Sequence, residues 1–134
     1  MTPAPAAIHA PAIAPVDLRK LALDFALVES ADREHPLGND EAVGPDHEFG
    51  CTQWLPRTWK SFTRLPPYMA TDRKICLRET ERYLREKLVP GLVSQKLAVT
   101  PYRLYLGWLR GLHGLISDSD MAKARRLENL YNSP

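Results

Sequence analysis

Apolar residues recur at three- and four-residue steps over residues 17–30, which predicts an amphipathic helix with one apolar stripe. Asp17 stands just before the stripe and is expected to cap the helix. Residues 31–50, which follow, are dense in Gly, Pro, Asn and Asp, a composition typical of a loop. The loop leaves room for a short, strongly twisted β-hairpin.

The same spacing predicts further helices in the second half of the chain. One begins at Pro56, a second covers residues 70–89, a third begins at Thr100, and a fourth runs from Ser117 or Asp118 to about Tyr131. Pro90, followed by glycine, is expected to end the second of them. The sequence therefore predicts a mainly α fold of four or five helices around one core.

Composition favours a single domain preceded by an arm. The chain has 134 residues, 44% of them hydrophobic and 25% charged, which is enough for one core. Residues 1–15 contain four prolines among alanines and predict an extended arm, before a helical domain over residues 16–134. No apolar run approaches the roughly 18 residues that span a bilayer. The N-terminus lacks the pattern of a signal peptide, so the sequence predicts no compartment.

The charge balance and the possible metal ligands exclude some classes of protein. A net charge of +2, spread along the chain, is not the footprint of a nucleic-acid-binding protein. The histidines do not fall at metal-ligand spacing, so we expect neither a metal nor a cofactor. Cys51 and Cys76 either form one bridge or remain two buried thiols, and the sequence leaves both alternatives open.

Glu29 is the candidate for acid–base chemistry. It follows Phe25 by four residues and lies about 40° from it around the helix, at the edge of the apolar stripe. Partial burial and the negative end of the helix dipole both favour a protonated carboxyl there, as a general acid requires. The alternative is an ordinary solvated glutamate at the end of a helix.

Two other segments carry side chains suited to binding a sugar. In the first, Gly50 to Gln53, a neutral amide suits N-acetyl and hydroxyl groups, and the tryptophans that follow would suit sugar faces if they were exposed. In the second, Tyr102 and Tyr105 stand one helical turn apart and would place two hydroxyls at a cleft. The alternatives are a core turn with buried tryptophans and an amphipathic core helix.

The order of these segments resembles the soluble lytic transglycosylases and related lysozyme-like proteins. Val28-Glu29-Ser30 matches the Glu-Ser motif of that family, and Gly50 to Gln53 with Pro56 nearby matches its Gly-x-x-Gln motif. The loop from Leu37 to Gly44 is similar to that of a phage-associated branch. The similarity covers about residues 17–115. The family also carries a later motif similar to Ala-Tyr-Asn-Ala-Gly. The chain departs from the family in having Leu or Arg in place of that Asn, within residues 108–111, and in having a longer loop.

The resemblance implies a lysozyme-like helical fold and a muralytic enzyme that acts on peptidoglycan at the cell wall or in the periplasm. The bond cleaved would be the β-1,4 bond between N-acetylmuramic acid and N-acetylglucosamine, with Glu29 as single general acid and base. Ser30 would orient Glu29. Substrate binding would fall to Ser30, Thr52, Gln53, Tyr102 and Tyr105. If a water molecule is activated instead, the second acid would be Asp40, Asp46 or Glu48.

Two other functions stay open. One is a catalytically inactive lysozyme-fold protein that binds glycan, or that joins a larger assembly such as a virion or secretion apparatus through residues 1–15. The missing Asn favours it and the presence of Glu29 disfavours it. The other is a DNA-binding helix-turn-helix over residues 100–130, with Lys123, Arg125 and Arg126 on its second helix; the low net charge disfavours it.

Overall fold

The computed structural model describes residues 15–134, so the predicted arm lies almost wholly outside the described residues. The described chain is mainly helical, as the sequence predicts. Its helices are α1 (Leu18–Ser30), α2 (Pro56–Phe62), α3 (Arg73–Tyr83), α4 (Val89–Ser94), α5 (Pro101–Arg110) and α6 (Asp118–Asn132). A 3₁₀ turn covers Pro67–Thr71 and a π-helical turn covers Leu84–Leu88. None of the described helices is long and apolar enough to cross a membrane.

The predicted helix starts are confirmed by their caps. The side chains of Asp17 and Thr100 each accept a hydrogen bond from the backbone N–H three residues later, at 3.0 and 3.2 Å. Ser117 and Asp120 form a reciprocal capping box in which each side chain accepts from the other's N–H at 3.0 Å. Such caps typically contribute about 1 kcal/mol each.

The prediction that Pro90 ends a helix is wrong. The helix that begins at Arg73 continues through the π-helical turn and through α4 to Ser94. Val89 N–H donates to the carbonyl of Leu84, five residues earlier, in place of the usual four. Since this wider turn comes directly before Pro90, the proline occupies the first turn of α4, where its missing N–H costs little.

The loop after α1 contains no strand in the described part of the chain. Where the sequence left room for a hairpin, only two isolated antiparallel bridges occur, Val43 with Phe49 and Phe49 with Trp54. Ser30 fastens this loop to the end of α1. Its hydroxyl donates to the carbonyl of Cys51 at 2.7 Å and accepts from Asn39 N–H at 2.8 Å. The loop is thereby held beside Glu29.

Two apolar clusters meet under this loop. The first includes Phe25 of α1 and Tyr105 of α5, whose ring centroids are 5.0 Å apart. The second contains Trp54 and Trp59, which are fully buried and pack edge to face at 5.1 Å. Trp108 joins the clusters, with its ring 4.9 Å from Trp54 and 5.7 Å from Phe25. Because Trp54 and Trp59 are buried in this core, neither is free to stack on a sugar.

Candidate functional site

A groove of about 710 Å³ opens where the end of α1, the long loop, α2, the end of α5 and the start of α6 come together. Its volume is typical of small-molecule sites. The charged side chains that line it are Glu29, Asp46, Glu48, Arg57, Arg110, Asp120 and Lys123. Gln53 and Trp108 also contribute to its wall. The groove therefore offers hydrogen-bonding groups of both charges around the predicted acid.

Glu29 lies in the wall of this groove with only 8% of its side chain exposed. The hydroxyl of Tyr105 donates to its Oε1 at 2.9 Å. The ammonium of Lys123 contacts Oε2 at 3.1 Å and Oε1 at 3.4 Å. Three helices, α1, α5 and α6, thus contribute one group each. Both carboxylate oxygens are held by donors, which fixes the orientation of the carboxyl group.

Tyr105 acts on Glu29 from within the core. Its side chain is fully buried. Burial, and then the negative charge of Glu29, raise the pKa of Tyr105 far above its ordinary value. The hydroxyl consequently keeps its proton and remains a donor to Glu29. The sequence predicted that Tyr105 binds substrate, whereas in the structure its hydroxyl donates to Glu29.

Gln53 is the predicted binding residue that the structure brings to the groove. Its backbone is left-handed, with φ at 60°. The side-chain amide donates to the carbonyls of Ala42 at 3.1 Å and Gly50 at 2.9 Å. Because these two bonds use both amide hydrogens, the amide oxygen is the atom left for a ligand. Gln53 therefore suits a sugar hydroxyl or acetamido N–H as an acceptor.

The other predicted binding residues lie away from the groove wall. Ser30 bonds to the loop and makes no hydrogen bond to Glu29 among the described residues. Thr52 is fully buried, with its hydroxyl 2.8 Å from that of Thr80. Tyr102 packs partly buried on the first cluster, and the guanidinium of Arg125 lies 5.6 Å from its ring centre. The structure therefore assigns these three side chains contacts with the protein itself.

Lys123 and an Arg110–Asp120 pair belong to the site and were missed as site residues. Arg110 donates two hydrogen bonds to Asp120, at 2.8 and 3.0 Å. These bonds, and then the N–H of Ser117, hold the pKa of Asp120 well below its usual range. The sequence carried no signal that Lys123 meets Glu29, because 94 positions separate them.

The structure narrows the choice of a second acid. Asp40 pairs with Arg73 at 3.1 Å and is absent from the groove lining. Asp46 and Glu48 do line the groove, and Oε1 of Glu48 accepts from the N–H of Asp46 at 2.7 Å.

Within residues 15–134, no three His, Cys, Asp or Glu side chains cluster as a metal site would require.

The two cysteines lie side by side in the second cluster as free thiols. Both are fully buried, and their sulfur atoms are 3.9 Å apart. A hydrogen bond from the Cys51 thiol lowers the pKa of Cys76, and the same contact raises that of Cys51. Since Cys51 directly precedes Thr52 and Gln53, this contact anchors the turn that carries Gln53 to α3.

A second groove, of about 600 Å³, runs between α1 and α3. Its carboxylates already have partners: Asp72 caps α3 by accepting from the N–H of Ile75, and Glu81 pairs with Arg85. Its apolar lining residues are Ala22, Leu23, Ile75 and Leu77. The groove around Glu29 is therefore the better candidate for chemistry.

Comparison of the chain with protein families, with curated proteins and with solved structures finds no match.

Proposed function

We propose that this protein is a muralytic enzyme that cleaves the β-1,4 bond between N-acetylmuramic acid and N-acetylglucosamine in peptidoglycan. The observation that carries the proposal is the position of Glu29. Its carboxyl lies in the wall of a groove, 8% exposed, with its orientation fixed by Tyr105. The resemblance of the Glu-Ser and Gly-x-x-Gln segments to lysozyme-like and lytic transglycosylase sequences supplies the substrate class.

In this mechanism Glu29 gives its proton to the glycosidic oxygen as the bond to the sugar carbon breaks. The sugar passes through an oxocarbenium-like state, and the protonated oxygen leaves with the other half of the chain. General acid catalysis of this kind typically contributes about 10²–10⁴-fold. Gln53 would hold the sugar by accepting a hydrogen bond at its amide oxygen.

Two outcomes follow bond cleavage. In the lytic one, a hydroxyl of the same sugar attacks the sugar carbon and gives its own proton to Glu29, and an anhydro end forms. In the hydrolytic one, a second carboxylate activates a water molecule. Asp46 and Glu48 are the candidates for that role, because they line the same groove.

The test is the loss of turbidity of purified peptidoglycan with wild type, Glu29→Gln and Glu34→Gln. Glu29→Gln keeps the size of the side chain but removes the transferable proton, so we expect a loss of about 10²–10⁴-fold. Glu34 is an exposed glutamate in the adjoining loop, and its variant should lyse like wild type. Product masses that differ by one water distinguish anhydro from hydrolysed ends. Equal lysis by all three proteins would exclude Glu29 as the acid.

The second candidate is an inactive lysozyme-fold protein that binds glycan or serves as a subunit of a larger assembly. One observation favours it: Lys123 forms an ion pair with Glu29 at 3.1 Å, so the carboxylate is already engaged by a cation of the protein itself. Binding to peptidoglycan without lysis, by folded wild type and by Glu29→Gln alike, would support this candidate.

A further inference from the structure

Lys123 places a positive charge directly on the predicted acid. Its ammonium lies 3.1 Å from Oε2 of Glu29, 34% of the Lys123 side chain is exposed, and Lys123 lines the groove. Together with the hydrogen bond from Tyr105 to Oε1, this contact occupies both carboxylate oxygens of Glu29 with donors from the protein itself. A general acid must carry a proton when the substrate is bound. The ligand-free arrangement is therefore one from which Glu29 has to be released.

The other charges around Glu29 do not supply that release. From α5, Arg110 is engaged by Asp120 through two hydrogen bonds. From the loop, Asp46 and Glu48 line the groove as carboxylates and bring no second cation to Glu29. From α2, Arg57 is exposed at the rim. Lys123 is thus the cation that contacts Glu29 among the described residues, and its long flexible stem allows its ammonium to move.

We propose that Lys123 selects substrates that carry a carboxylate beside the bond to be cleaved, and that it changes partner when such a substrate binds. The ammonium leaves Glu29 and pairs with the carboxylate of the substrate, and Glu29 takes up one proton from solvent. One negative charge and one proton enter the site together, so its net charge is unchanged. This inference rests on the proposed function and adds the residue that links substrate charge to the state of the acid.

The exchange predicts how substrates differ. A glycan with a free lactyl or peptide carboxylate gives Lys123 an alternative partner. A neutral β-1,4 glycan, or one with that carboxylate esterified, gives none, and the ion pair with Glu29 stays intact. Lys123 is a specificity-determining residue on this account, and its contact with Glu29 is the resting state of the site.

The direct test counts protons during binding. A peptidoglycan tetrasaccharide with free lactyl carboxylates, and its methyl ester, are titrated calorimetrically into full-length wild type near neutral pH in two buffers of different ionisation enthalpy. We expect uptake of close to one proton with the free acid and close to none with the ester. Binding of the free acid without proton uptake would overturn the inference.

Variants separate specificity from a structural role. Lys123→Met should lose at least about tenfold of the preference for the free acid over the ester and should lose the proton uptake, whereas Lys123→Arg keeps both. Arg125→Met removes an equal charge from α6 outside the groove and is the control. If folded Lys123→Met weakens binding of both glycans equally, the pair is structural and the inference fails. If wild type neither lyses peptidoglycan nor binds the tetrasaccharide, the proposed function fails instead.

Discussion

Substituting Tyr105 by Phe would isolate the hydrogen bond that holds Glu29 from within the core. Tyr105 is fully buried, and its ring packs 5.0 Å from that of Phe25. Phe keeps the ring and therefore the packing, and only the hydroxyl that donates to Glu29 at 2.9 Å is lost. A hydrogen bond to a charged group typically contributes about 1.5–3 kcal/mol, so we expect Tyr105→Phe to lower the free energy of unfolding by that amount.

Urea denaturation near neutral pH measures this loss, and a double-mutant cycle with Glu29→Gln assigns it. When residue 29 is Gln, the hydroxyl of Tyr105 donates to a neutral acceptor, and such a hydrogen bond contributes about 0.5–1.5 kcal/mol. The two substitutions should therefore couple by roughly 1 kcal/mol. The hydroxyl of Tyr102 on the same helix makes no hydrogen bond to the residues that the structure describes, so Tyr102→Phe should change stability by less than about 0.5 kcal/mol.

Two results would refute this reasoning. The first is equal stability of Tyr105→Phe and Tyr102→Phe. The second is a loss on Tyr105→Phe that is the same whether residue 29 is Glu or Gln. Either would mean that the hydroxyl contributes nothing specific to the carboxylate of Glu29.

Two further predictions concern the frame of the site. Asp120→Asn should lower the free energy of unfolding by about 1–3 kcal/mol near neutral pH, since it weakens both bonds to Arg110. Because the pKa of Asp120 is depressed in the folded state, its contribution to the free energy of unfolding is present above about pH 4 and is lost as the pH falls further. The stabilities of the two proteins in urea should therefore converge in acid. A difference that stays constant with pH would contradict this. Gly50→Ala should destabilise the protein by at least about 1 kcal/mol, because φ of Gly50 is 83° and the added Cβ would lie 2.9 Å from the carbonyl oxygen of Ala70. Thermal melts measure this loss, and an unchanged Tm would show that the turn relaxes freely.

Local signals explain what the sequence predicted correctly about the fold. The caps at Asp17, Thr100 and Ser117 act within three residues, so the side chain and the N–H that it binds stand together in the sequence. The prediction that a helix ends at Pro90 was wrong because it rested on the proline alone. The π-helical turn that accommodates Pro90 depends on packing of Leu84 and Leu88 in the core, which no local pattern reveals.

Helical periodicity predicted the place of Glu29, the Gly-x-x-Gln motif predicted Gln53, and the rest of the candidate site could not be predicted. The position of Glu29 at the edge of the apolar stripe predicted a partly buried carboxyl. The structure brings Glu29 and Gln53 to one groove. The spacing of Tyr102 and Tyr105 gave no indication of which hydroxyl points inward. Thr52 was chosen by its neighbours in a motif, yet its side chain faces Thr80 across the core. The contact of Lys123 with Glu29 could be predicted only by knowing how α6 packs on α1.

The partners of Glu29 come from far along the chain, 76 positions away for Tyr105 and 94 for Lys123. Contacts of such long range form only after most of the chain has been ordered, because closing long loops costs entropy before the contacts contribute. Glu29 should thus acquire its donors in one of the last steps of folding, when α6 docks. In a partly folded molecule Glu29 would lack these donors, so recovery of the proposed lytic activity on refolding should lag behind recovery of helical content.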